Sequence, residues 1–332
     1  MTARLARRFL DDVRHGADLA HLSVADGAER WPDMLLAELR FHLSGLMNAM
    51  ELAIGLHLAD PDVEKRLGDL GPGYCRDAIE REPELISPPL LACLRRRAIC
   101  AMLLRRANAA GLDPEPAAQS EALTALALAE RRWIAPMLLD TPMRPDLPAE
   151  YFHELAWTAA ALLIHGCARR EDGQREPHLV AVLTQATERL VARHDEGQGA
   201  QALAQRCARG LDAPAREALA GAALVEGRLL LFAALAESLT GLPLERAIDV
   251  MADGEDEARH ALMRLLNVED AVVFRTAELL APLLIGSLGG DEALARFLEA
   301  YRLVDMPHAR QWLARATGPA ALAEKLSLLD QP

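Results

Sequence analysis

Residues 32–60 read PDMLLAELRFHLSGLMNAMELAIGLHLAD, and this stretch decides the fold class. Leu36, Leu39, Leu43, Leu46, Met50, Ala53 and His57 follow one another at steps of 3, 4, 3, 4, 3 and 4 residues. An α-helix brings such positions into one line, the a/d seam of a heptad. At about 100° per residue, Arg40, Ser44, Asn48 and Glu51 gather on the other side. Pro32 suits a first helical turn and Asp33 its positive end. Asp60-Pro61 ends the pattern, so the spacing predicts a helix from Pro32 to Ala59. The seven stripe residues are a candidate helix interface, facing either the chain's own core or a second copy.

The same grammar continues on the C-terminal side. Gly71-Pro72-Gly73 is a turn, and Ser87-Pro88-Pro89 opens a helix to about Ala109. Leu90, Leu91, Leu94, Ile99, Met102, Leu103 and Leu104 surround that helix, as expected of one lying between neighbours. Gly111-Leu112-Asp113-Pro114-Glu115-Pro116 reads as a linker. A helix over about 118–139 and a proline-punctuated loop over 140–148 come next. Helices follow at about 149–167 and 177–194, the second with Leu179, Leu183, Ala186 and Leu190 in a stripe. The tract 195–199 is polar. Shorter helices are predicted over 200–210, 214–226, 228–240, 243–253, 255–266, 269–285, 291–302 and 306–316, and no segment alternates as a strand would. Short amphipathic helices at near-regular spacing bury their faces by stacking. The expected fold is therefore all-α: stacked helical hairpins in a HEAT-like α-solenoid, with a globular helical bundle as the alternative. Three segments are expected: 1–110 with the long amphipathic helix, 111–212 with the middle hairpins, and 213–332 with the C-terminal helices.

One stretch resembles a known family. Gly227-Arg228-Leu229-Leu230-Leu231-Phe232-Ala233-Ala234-Leu235-Ala236-Glu237 leads into Gly241-Leu242-Pro243-Leu244-Glu245-Arg246-Ala247, and then Asn267-Val268-Glu269-Asp270 starts a further helix. This is similar to the C-terminal part of the bacterial domain of unknown function 2336, over about residues 213–300. The resemblance implies a HEAT-like helical protein and brings no activity with it. The residues also explain themselves physically: Phe232 and Leu235 as core anchors, Gly241 as a left-handed helix end, Pro243 as the next helix start.

Composition agrees with helices. Apolar residues make up 51% of the 332-residue chain but aromatics only 4%, so Ala and Leu must build the core. The net charge is −13, which repels phosphate backbones and argues against nucleic acid as a partner. Nearly all basic residues are Arg; Lys65 and Lys325 are the only lysines. Cys75, Cys93, Cys100, Cys167 and Cys207 are odd in number and widely spaced, as expected of free thiols in a reducing, cytoplasmic setting. Asp11 and Asp12 interrupt the basic start before any apolar run, so no secretion signal is read. The most apolar stretch, Leu43 to Ala59, is too short and polar for an integral membrane segment.

Motifs that would carry chemistry are incomplete. Neither lysine follows a glycine, which leaves no P-loop, and without strands a dinucleotide-binding glycine turn has no setting. Gly286-Ser287-Leu288-Gly289-Gly290 lacks the spacing of a nucleophile elbow. His153-Glu154 begins like a zinc-protease motif, but Trp157 stands where the second histidine belongs. Glu257-Ala258-Arg259-His260 has one Glu-x-x-His where a di-iron bundle needs two, and reads as a solvated face with an intrahelical pair. Glu38 lies one turn before His42 and could pair with it; His57, in the apolar stripe, would be a pH-sensitive position at a helix interface. Arg95, Arg96, Arg97, Arg105 and Arg106 scatter around their helix, which implies ion pairs rather than one basic patch. No catalytic, metal-binding or cofactor-binding residue and no cofactor are assigned.

The function class that fits is a non-catalytic protein–protein interaction scaffold or adaptor. Its protein partners carry no signature, and a homodimer is one of them. An enzyme or small-ligand protein with a pocket between helices is the alternative. Membrane-surface contact through Arg4, Arg7 and Arg8 is a third and weaker reading.

Overall fold

The computed structural model describes residues 32–110, 121–134, 143–170, 176–283 and 290–318. Among them are fifteen α-helices, two short 3-10 helices and no strand. The chain is all-α and built from packed helix pairs. It divides into two compact units that interleave in sequence: 1–98 with 129–199, and 99–128 with 200–332. The sequence suggested three consecutive segments instead. The boundary at Ala98 and Ile99 falls inside a helix, where no turn residue marks it.

In the first unit α1 (Asp33–Leu56) is central. It packs on α3 (Tyr74–Ile79), α6 (Ala149–Arg170) and α7 (Pro177–Ala192), while α2 (Pro61–Leu70) and α3 also pack on α6. α2 and α3 occupy a segment with no helix expected. Leu36, Leu39, Leu43, Leu46 and Met50 are buried, at most 6% exposed, so this part of the stripe serves the chain's own core. Side chains so enclosed have little surface left for a second copy. Ala53 and His57 leave the core and are half-buried. α1 ends at Leu56, three residues short of the expected Ala59. The reason is His57, whose Nδ1 bonds the Ala53 carbonyl at 2.8 Å, where the next helical N–H would have bonded. His57 is thus a helix end, not a heptad core position.

Helix starts follow local chemistry and tertiary chemistry together. Asp60 accepts from Asp62 N and Val63 N at α2, with Pro61 as the first helical residue. Elsewhere a carboxylate reaches across from another helix. Glu51 of α1 accepts from Gly73 N at 2.9 Å and Cys75 N at 2.7 Å, at the start of α3. Glu154 of α6 accepts from Ser87 N and Oγ, just before α4 (Pro88–Ala109). Each such contact satisfies orphan N–H groups and joins two elements at once.

In the second unit α10 (Leu229–Thr240) is central, with Leu229 to Ala236 all buried. α8 (Ala200–Arg209), α9 (Ala213–Val225) and α11 (Leu244–Asp253) pack around it. The packing continues through α12 (Asp256–Leu265), which holds α14 (Asp291–Leu303) and α15 (Met306–Ala316), while α13 (Asp270–Leu280) packs on α9 and α14. Phe232 and Leu235 are fully buried, and Gly241 ends α10 in the left-handed region at φ 75°. The linker 111–116 and most of Gly286–Gly290 lie outside the described residues, as do Arg4, Arg7 and Arg8.

Candidate functional site

Arg97 stands on α4 among Leu94, Ala98 and Ala101, all buried, and is itself 5% exposed. A guanidinium in that position needs charged company. It finds one carboxylate and two neutral acceptors. Nη1 pairs with Asp146, Nη2 donates to the Arg144 carbonyl at 3.3 Å, and Nε donates to His42 Nδ1 at 3.1 Å. Asp146 also accepts from Trp133 Nε1, at 3.0 Å from Oδ2, on the helix α5 (Glu121–Ile134). The Arg97 guanidinium carbon lies 4.8 Å from the centre of the Trp133 ring.

The chain of contacts extends to α1. An arginine nitrogen only donates, so His42 Nδ1 must accept. The neutral ring therefore carries its proton on Nε2, which faces Glu38 Oε1 at 3.2 Å. The Glu38–His42 pair expected from the sequence is present, and both residues are buried. Met143 lies against Gly45 of α1 beside this network. Glu38, His42, Arg97, Asp146 and Trp133 thus form one buried polar chain that ties α1, α4 and α5 to the 143–148 segment. Glu38, His42, Arg97 and Trp133 are at most 6% exposed and the Asp146 side chain 5%, so the chain of contacts anchors this part of the fold.

Sequence reasoning missed Asp146, read only as part of a proline-punctuated loop, and Trp133. The signal was Arg97: a charge inside a helix apolar on most sides demands a partner, though not which one. Arg95 and Arg96 are half-buried and Arg106 exposed, so the arginines do not make one basic patch.

The remaining motifs resolve as follows. His153 accepts from Trp157 Nε1 at 3.0 Å, a surface pair one turn apart on α6. In the Glu257–His260 segment Glu257 is exposed and Arg259 pairs with Asp256 within the helix, but against expectation Arg259 is 4% and His260 1% exposed. α11, α14 and α15 pack on α12, and α14 and α15, distant in sequence, leave no mark on its spacing. Burial pushes the Arg259 guanidinium down and the His260 imidazole down to about 4. Burial, and then Glu51, push the Cys75 thiol up, and none of the five cysteines forms a disulfide.

Among the described residues no three His, Cys, Asp or Glu side chains are grouped to hold a metal. An apolar void beside Gly227, lined by Leu103, Leu224, Leu229, Met251 and Thr276 among others, has room for a water-sized guest. No helix of the described residues is long and apolar enough to cross a membrane.

The outer face of α1 differs from its core face. Leu52 is 48% and Leu56 86% exposed, one turn apart, with Met34 at 47% near the helix start. Gly55 between the two leucines has no atom near its missing side chain. Comparison with family models, with curated proteins and with solved structures finds no match to this chain.

Proposed function

We propose that the chain is a non-catalytic helical scaffold for protein–protein interaction and that the outer face of α1 is its docking ridge. The observation that carries this reading is the Leu52–Leu56 pair, exposed on a helix whose opposite face is buried. An i, i+4 apolar pair on a rigid helix is what a partner's groove or helix recognises. The buried polar chain supports the reading, because the His42–Arg97 bond fastens α1 to α4. The net charge of −13 favours protein over nucleic acid as partner. Self-association belongs to this reading through the ridge, since the Leu36–Met50 side is taken up by the core. The cytoplasmic setting expected from the free thiols, and a relation to domain of unknown function 2336 over 213–300, are part of the same proposal.

The test uses the full chain and a Leu52→Glu, Leu56→Glu variant as baits in the native cell, with light scattering of both proteins alongside. Loss of a specific captured partner, or of self-association, with unchanged thermal stability supports the ridge. Identical capture and identical mass for the two proteins would overturn it.

A further inference from the structure

His260 has no use in the scaffold reading, yet it is buried in an unusual way. Its ring meets Phe297 of α14 edge-on at 4.2 Å between centroids and Tyr301 at 5.9 Å. Its Nε2 has no hydrogen-bond partner among the described residues. We propose that His260 makes the seam between α12 and α14 an acid-sensitive joint: the seam closes over a neutral imidazole, and opening it lets the ring take up a proton.

The surroundings explain why the closed seam refuses a proton. On α12 itself, Arg259 is adjacent and Arg264 one turn on, both cations. Asp256, the carboxylate that acts on the ring, is engaged by Arg259 Nη1 at 2.8 Å. Arg259 is further tied to the Met251 and Ala252 carbonyls of α11, and Asp253 of α11 acts on Arg259. From α14 come two aromatic rings. The Tyr301 hydroxyl is spent on the Val268 carbonyl, and Arg264 lies 4.0 Å over the Tyr301 ring centre and donates to the Tyr301 carbonyl. From α15, His308 pairs with Glu257 at the surface, 3.0 Å away, with Arg315 3.7 Å from the same oxygen. Among the described residues, none of these elements gives Nε2 an acceptor.

The sign follows from proton uptake. Burial, then the two arginines, hold His260 at about 4 against an ordinary 6.5. Between those values the open seam binds more protons than the closed one, so closure is strongest above 6.5 and weakens as pH falls. The opening constant should rise about tenfold from pH 7.5 to 5.5, and somewhat under a hundredfold by pH 4.5.

Native-state hydrogen exchange of the full chain, corrected for intrinsic rates, reads this directly between pH 7.5 and 5.5. The expected result is an opening constant for α12 and α14 amides that grows about tenfold while amides of Phe232 to Leu235 in α10 stay flat. His260→Gln and His260→Phe should each flatten the α14 response. His308→Gln, which removes the only other histidine beyond residue 200, should leave it intact. An unchanged slope in both His260 variants, or α10 amides rising in step with α14, would overturn the proposal. If the variants do not fold, an NMR titration of His260 in the wild type decides: a midpoint near 4 supports the joint, and one at 6 or above sinks it.

Discussion

Gly227 is pressed against the backbone of Leu103: a β-carbon built on it would stand 2.8 Å from the Leu103 carbonyl carbon and 2.9 Å from the Ala107 methyl. Its φ of +66° is also one that L side chains avoid. Two independent demands meet at this residue, one conformational and one steric.

Gly227→Ala should therefore cost about 2–4 kcal/mol, strain and overpacking together. Gly241→Ala is the control. It has a similar φ of +75° but nothing within 4 Å of the missing side chain, so only strain of about 1 kcal/mol applies. Chemical denaturation of both variants checks the difference; equal losses would mean that the Leu103 contact is not tight in solution.

Breaking the buried ion pair on one side should be severe. Asp146→Ala leaves the Arg97 guanidinium without its carboxylate and should cost about 3–5 kcal/mol. Arg97→Met combined with Asp146→Leu should recover most of that loss, because neither charge is then stranded. Denaturant midpoints, followed by tryptophan fluorescence, measure both. A double variant as weak as the single one would show that packing, not the stranded charge, dominates.

The two faces of α1 should respond in opposite ways to truncation. Leu46→Ala removes a fully buried side chain and should cost about 2–5 kcal/mol. Leu52→Ala, at 48% exposure, should stay within about 0.5 kcal/mol of the wild type. Thermal melts of the pair suffice. A large loss at Leu52 would place it in the core and remove the docking ridge.

Glu51 should matter to α3 more than to its own helix. Glu51→Ala strips two N–H groups at the α3 start of their acceptor, with an expected cost of about 1–2 kcal/mol. Amide exchange at Cys75 should speed up while the middle of α1 stays protected. Uniform deprotection of both helices would contradict a local cap.

Much of the architecture was legible because helix formation is a local matter. The 3-and-4 spacing from Leu36 to Met50 reports which side of α1 is apolar, and that side is the buried one. Gly241 and Pro243 mark the α10–α11 corner by their own backbone limits. α2 and α3 escaped notice because they are short, polar or both, and Glu51 holds the start of α3 from 22 residues away.

The charges were legible only as a demand. Arg97 and Asp146 are 49 residues apart, and their pairing depends on how α4 and the 143–148 segment come together. His260 shows the same gap from the other side: its neighbours in sequence are charged and suggest solvent, while Phe297 and Tyr301 cover it from a helix it meets only in the folded chain. Periodicity records what each helix must hide. It cannot record what hides it, because the Coulomb and packing energies that choose partners act through space, between residues the chain sets far apart.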